Sequence, residues 1–179
     1  MKVLFGFVFC YYIEMYKRVL VLGGAGRGKT TFAKRLSEKF SIPAYDTDDF
    51  FWKVKYTIPS DREQSVIEIN KIYENSEWVM SGSTRRLILA GIEKADVIFV
   101  LKFKNIIYQY LSILRRWLTR EEEKITDLWN LLAHVTKKKY KKGYGSHVPP
   151  IDELVNDYKK KVIELDSFKE IENYLKSLN

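Results

Sequence analysis

Gly23-Gly24-Ala25-Gly26-Arg27-Gly28-Lys29-Thr30 satisfies the spacing G-x-x-x-x-G-K-[ST], and each residue type in it has a use against a chain of phosphates. Backbone N–H groups have to approach the anion closely, and side chains on the inner face would block them. Gly23, Gly26 and Gly28 leave that face bare. The loop runs into a helix at Lys29, whose free N–H groups and positive dipole end face the anion. Lys29 reaches the β and γ phosphates as a point charge, and the Thr30 hydroxyl is placed to ligate Mg²⁺. Thr31 is set for the α phosphate. Gly24, Ala25 and Arg27 complete the loop, with Arg27 expected over the nucleotide. The dinucleotide pattern G-x-G-x-x-G is not matched from Gly23, Gly24 or Gly26, so the site reads as one for a nucleoside triphosphate.

A loop of this kind needs a carboxylate near Mg²⁺, usually from a strand end of the same sheet. Asp46-Thr47-Asp48-Asp49 supplies the acids. Asp46 and Asp48 are two apart and in extended chain point the same way. One of the two is placed to hold a Mg²⁺-bound water, and the other to accept a proton from an attacking hydroxyl or to hydrogen-bond it. The plain alternative is a helix start, with Asp48 or Asp49 as its cap. Arginines neutralise charge developing on a transferred phosphoryl group. Arg115, Arg116 and Arg120 are placed for that, Arg116 and Arg120 sharing a helix face, although Glu121–Glu123 are alternative partners for them. Arg85 and Arg86 follow a strand and face an acceptor at the carboxyl edge. Phe50, Phe51 and Trp52 read as core residues or as the wall of an acceptor pocket. His134 and His147 stand alone, without metal-ligand spacing.

Strands alternating with helices position these groups. Arg18–Leu22 is an apolar β-branched run, a buried strand, and Lys29–Phe40 puts Phe32, Ala33, Leu36 and Phe40 on one helical face. Ser41–Asp46 reads as a second strand. Ser60-Asp61-Arg62-Glu63 is a capping box opening a helix that stops at Asn75-Ser76. Trp78–Met80 is a third strand and Asp96–Phe103, with VIFVL, a fourth; Asp96 lies at the edge away from the site. Ile106–Leu118 and Ile125–Lys142 are helices, and Lys161–Leu165 a fifth strand. Ser167-Phe168-Lys169-Glu170 opens the last helix. The order predicts a parallel sheet covered on both faces.

The 179 residues carry 31 Lys+Arg against 23 Asp+Glu, net +8. Hydrophobic residues at 46% exclude a disordered chain. Cys10 is the only cysteine, which excludes a disulfide scaffold and a cysteine zinc cage and fits a reducing, cytoplasmic setting. Residues 1–16 read as an extension ahead of a single domain at 17–179. Its apolar run from Val3 to Ile13 is too short to span a bilayer; Met15 is the expected natural start, with an edge strand or surface anchor as alternatives. Residues 102–142 hold eleven Lys/Arg against Glu121, Glu122, Glu123 and Asp127, a balance of +7. Such a segment attracts polyanions, nucleotide phosphates or nucleic acid.

The loop at Gly23–Thr31, Ile42-Pro43 followed by Asp48-Asp49-Phe50-Phe51-Trp52, the run Trp78–Ser83 leading to Ala95-Asp96-Val97-Ile98-Phe99, and the pair Arg115-Arg116 together resemble the small P-loop kinases of the adenylate kinase and shikimate kinase type. Among these the chain is most similar to the DNA topology modulation proteins, described as adenylate-kinase-related. The resemblance covers most of residues 17–120. It implies a three-layer α/β fold with a five-stranded parallel sheet of order 2-3-1-4-5 and a helical lid around 115–125. It also implies ATP and Mg²⁺ as cofactors and an Asp46/Asp48 division of labour between metal and acceptor. The chain departs from the family at Ser81, where Asp is usual, and at Gly91 and Leu111, where basic residues are expected. The expected function is Mg²⁺- and ATP-dependent phosphoryl transfer to a small hydroxylated or phosphorylated acceptor. The alternatives are a nucleotide-dependent nucleic-acid-binding protein using the basic 102–142 segment, and a nucleotide binder without turnover.

Overall fold

The computed structural model describes residues 16–54, 58–102, 106–118, 125–139 and 151–178. The expectations for residues 1–15, Met15 among them, for Arg120 and for Lys141, Lys142 and His147 lie outside these. So do those for the side chains of Arg116, His134, Lys138 and Lys139.

Five strands form a parallel sheet: β1 (Arg18–Gly23), β2 (Ala44–Asp46), β5 (Trp78–Gly82), β6 (Val97–Leu101) and β7 (Val162–Leu165). They lie in the order β2-β5-β1-β6-β7, which is 2-3-1-4-5 when this sheet's strands are counted among themselves. β3 (Trp52–Val54) and β4 (Ile58–Pro59) make a separate antiparallel ribbon that the sequence reading did not anticipate. The helices are α1 (Lys29–Phe40), α2 (Thr47–Phe51), α3 (Arg62–Tyr73), α4 (Arg85–Lys94), α5 (Ile106–Leu118), α6 (Ile125–Lys139), α7 (Ile151–Leu154) and α8 (Phe168–Ser177).

Alternate residues of each strand point to opposite faces, and two cores result. Val19, Val21, Phe99 and Leu101 pack under α1 and α8, where Phe32, Phe99 and Tyr174 meet edge to face at 5.0–6.2 Å. Leu20, Leu22, Met80 and Ile98 face α3 and α4 on the other side. All five residues of VIFVL are buried, as a strand covered on both faces requires. Among the described residues no helix is long and apolar enough to cross a membrane.

Several boundaries differ from expectation. Asp61, not Ser60, caps α3: its Oδ1 accepts from Glu63 N at 3.0 Å and Gln64 N at 2.9 Å, and a carboxylate is the better acceptor at a helix start. Ser41, at φ +55, ends α1, so β2 begins only at Ala44. β5 runs on to Gly82. α4 was missed altogether; its Leu87, Ile88, Gly91 and Ile92 are buried, a stripe that Gly91 makes hard to see. Gly91 is where a basic residue was expected, and a Cβ there would meet the Tyr73 ring at 2.7 Å. At the amino edge Asp96 accepts from Arg18 N at 2.8 Å and Lys17 N at 3.1 Å, and from the Arg18 guanidinium at 2.7 Å. It clamps β1 away from the site.

Candidate functional site

β1 delivers residues 23–28 to the carboxyl edge of the sheet, where α1 begins. Gly26 has φ +73, and a Cβ on it would lie 2.7 Å from Ile113 Cγ1 of α5. Only glycine takes that turn and leaves room for the neighbouring helix. Gly28, the N-cap of α1 at φ +78, has no side chain to fold over the first amides, and α1 carries no acidic residue in its first turn. The helix start therefore keeps its positive end for an anion. Lys29 arches back, its Nζ donating to Gly24 O at 3.3 Å.

The acid of the site is set by register. Asp46 of β2 stands opposite Ser81 of β5, and α1 lies alongside both. Asp46 Oδ2 accepts from Thr30 Oγ1 at 2.7 Å and from Ser81 Oγ at 2.7 Å. Asp46 Oδ1 accepts from Asp48 N at 3.0 Å, making Asp46 the N-cap of α2. The extended-chain picture of Asp46 and Asp48 side by side is thus replaced: a helix starts at Thr47, because the capped amide of Asp48 is worth more there than extended chain. Ser81, buried at 1% exposure, has a defined place as the donor that holds Asp46.

Behind this arrangement Thr47 is fully buried, and a Cβ on Gly82 would come within 2.3 Å of it. Gly82→Ala therefore pushes α2 and its cap off β5. The expected cost is about 1–3 kcal/mol, read as a lowered midpoint in thermal denaturation; an unchanged midpoint would contradict this packing.

The loop residues Gly26, Gly28, Lys29, Thr30 and Thr31 share one open cleft of about 570 Å³ with Asp46, Asp48, Asp49, Ser81, Ser83 and Ser112. Thr30, Asp46 and Ser81 offer oxygen donors with a single carboxylate, the set a small hard cation such as Mg²⁺ takes while keeping most of its waters. Among the described residues there is no cluster of three or more His, Cys, Asp or Glu that would hold a different metal.

Arg27 departs from its expected position over the nucleotide. Its Nη1 donates to Leu101 O at 2.9 Å, at the end of β6. Burial lowers its pKa, against a raising pull from Asp152, and its Nε is buried without a hydrogen-bond partner. The Leu101 carbonyl at the end of β6 thus gives the guanidinium a partner inside the fold. Lys102, counted in the basic segment, pairs with Asp152 at 2.9 Å and Glu164 at 2.6 Å, which removes it from any polyanion surface. Arg115 is exposed on α5. Arg86 lies 5.3 Å from the centre of the Phe51 ring, so Phe51 and Arg86 come together beside α2. Phe50 and Phe51 pack against the second core. One residue escaped the sequence reading: Gln109 of α5, 7% exposed, donates from Nε2 to Ala25 O at 2.5 Å. A lone amide on the inward face of an apolar helix was the signal.

The sheet order, the glycine loop and the helices on both faces can be set against known proteins. No protein-family model matches the chain. The structure superposes on the shikimate kinase of Acinetobacter baumannii in complex with shikimate at a TM-score of 0.54, with 14% identity and 94% of each chain covered. The two share one fold. A gluconokinase of Sinorhizobium meliloti 1021 gives a TM-score of 0.50 at 13% identity, covering 90% of this chain and 91% of that one. In sequence, 81 residues are 32% identical to an adenylate kinase of Pseudarthrobacter chlorophenolicus, 45% of this chain and 40% of that protein. Another 30% identity over 74 residues links it to the uncharacterized protein YqaC of Bacillus subtilis, 38% of this chain and 39% of that one. The chain spans about two fifths of the length of the curated relatives it matches.

Proposed function

We propose that this P-loop kinase fold carries an Mg²⁺- and ATP-dependent phosphotransferase that moves the γ-phosphate to a hydroxyl or phosphate acceptor. The observation that supports it most is the junction at which Thr30 and Ser81 both donate to Asp46, opening on the same cleft as the glycine loop. Kinase relatives and structural neighbours agree in class. The likeness of Asp48–Trp52 and Trp78–Ser83 to the DNA topology modulation proteins belongs to this proposal as well.

In this reading residues 23–28 and the start of α1 bind the triphosphate through backbone amides, and Lys29 places an ammonium at its far end. Thr30 and Asp46 would hold Mg²⁺, which when bound neutralises charge on the β and γ oxygens. Asp48, in the first turn of α2 and facing the cleft, orients the acceptor. Arg115, Arg116 and Arg120 supply positive charge to the transferring group and close the site against water. The experiment is an ADP-release screen with Mg²⁺-ATP over nucleoside monophosphates and small hydroxylated metabolites. Release at least tenfold above the acceptor-free rate with one class is expected. ATP binding without acceptor-dependent release from any class would overturn the transferase reading.

A further inference from the structure

One turn of α5 rides on the phosphate-binding loop. Gln109 Nε2 donates to Ala25 O and lies 3.5 Å from where a Cβ on Gly24 would be. The Gln109 carbonyl and the Ile113 side chain crowd Gly26 at 3.1 and 2.7 Å from its own virtual Cβ. Gln109 is buried and does not line the cleft, whereas Ala25 and Gly26 both do. Among the described residues the peptide bonds are trans, and in a trans peptide the C=O and N–H point in opposite directions. An Ala25 carbonyl held toward α5 therefore turns the Gly26 N–H the other way, toward the cleft.

That peptide has a competing state. Glycine tolerates φ of either sign, so the Ala25–Gly26 unit can flip with little steric cost at Gly26. A flip would aim a carbonyl oxygen, a partial negative charge, at the place where an anion binds. We propose that Gln109 is a positioning residue that suppresses this flip and fixes the amide-inward form of the loop; its effect on ATP rests on the functional reading above, its effect on the loop does not. The buried amide costs desolvation unless it is bonded, and Ala25 O is the partner it has, so the helix and the loop hold each other.

The test uses the full chain and Gln109→Met, which keeps length and volume and removes the donor. Two quantities are read: amide hydrogen exchange across residues 24–27 without ligand, and affinity for ATP against adenosine. The expected result is about tenfold faster exchange in the loop, and about tenfold weaker ATP binding, the effect of losing one charge-assisted hydrogen bond. Adenosine, having no phosphates, is bound as before. In turnover the loss falls on KM with kcat nearly unchanged. Should Gln109→Met fail to fold, Gln109→Asn, one methylene short of Ala25 O, carries the same comparison. Unchanged loop exchange, or faster exchange with unchanged ATP affinity, overturns the proposal. Faster loop exchange in a protein whose unsubstituted form binds no ATP upholds the latch and removes the functional reading instead.

Discussion

Lys29→Ala abolishes both ATP binding and phosphate transfer and leaves the protein folded. The side chain stands at the loop rather than in either core, and its hydrogen bond to Gly24 O is a 3.3 Å contact at a part-buried site. Losing it costs little stability. Toward a triphosphate the balance is different. A preorganised donor aimed at developing charge is worth about 10²–10³ in rate, or roughly 2.7–4 kcal/mol, and here the donor is a full cation on the first residue of α1, where the helix dipole adds to it. The decisive measurements are calorimetric titration with ATP and an ADP-release assay, accompanied by a melting curve to show that the fold persists. ATP affinity that survives in the variant would mean that phosphates do not sit on residues 23–30.

Asp46→Asn is the second large effect, and it separates charge from shape. The carboxylate accepts three hydrogen bonds, from Thr30 Oγ1, Ser81 Oγ and Asp48 N. An amide keeps one acceptor oxygen for Asp48 N, and the two hydroxyls can rotate to accept from its NH₂ group. The structural loss is therefore about 0.5–1.5 kcal/mol. The negative charge is gone, however, and with it the only carboxylate touching Thr30 among the bonds seen there. The Mg²⁺ concentration needed for half-maximal ADP release should rise by about 10–100-fold, the range seen when the shell around a bound metal is damaged. A magnesium titration at fixed ATP measures it. An unchanged magnesium requirement would move the metal side of the cleft away from Asp46.

The loop, the alternation of strand and helix and the VIFVL strand were legible because each is written locally. A glycine-rich bend between an apolar run and an amphipathic helix needs no distant partner to be recognised, and a strand buried on both faces announces itself by unbroken apolar character. What was not legible depends on contacts across the chain. The bond between Asp46 and Ser81 exists because β2 lies beside β5 in one register; thirty-five residues separate the two, and no spacing rule joins them. Arg27 turns inward because the end of β6 presents the Leu101 carbonyl, a fact of sheet order. Gln109 looked like one polar residue on an apolar helix until the helix was laid against the loop. The helix Arg85–Lys94 was hidden because Gly91, a poor helix former, sits in its buried stripe, where Tyr73 leaves no room for a side chain.

β2 is three residues long and, among the described residues, borders only β5 in the sheet. So short a ladder has few amides to protect, and local opening is expected at this flank ahead of the sheet's centre. Asp46 rivets that flank, tying the end of the strand to the neighbouring strand, to α1 and to the helix that follows. The residue that equips the cleft for a cation is thus also the fastener of the sheet's weakest margin. Loosening the one function loosens the other, and exchange rates at Tyr45 and Asp46 would record the state of the cleft before any global unfolding is seen.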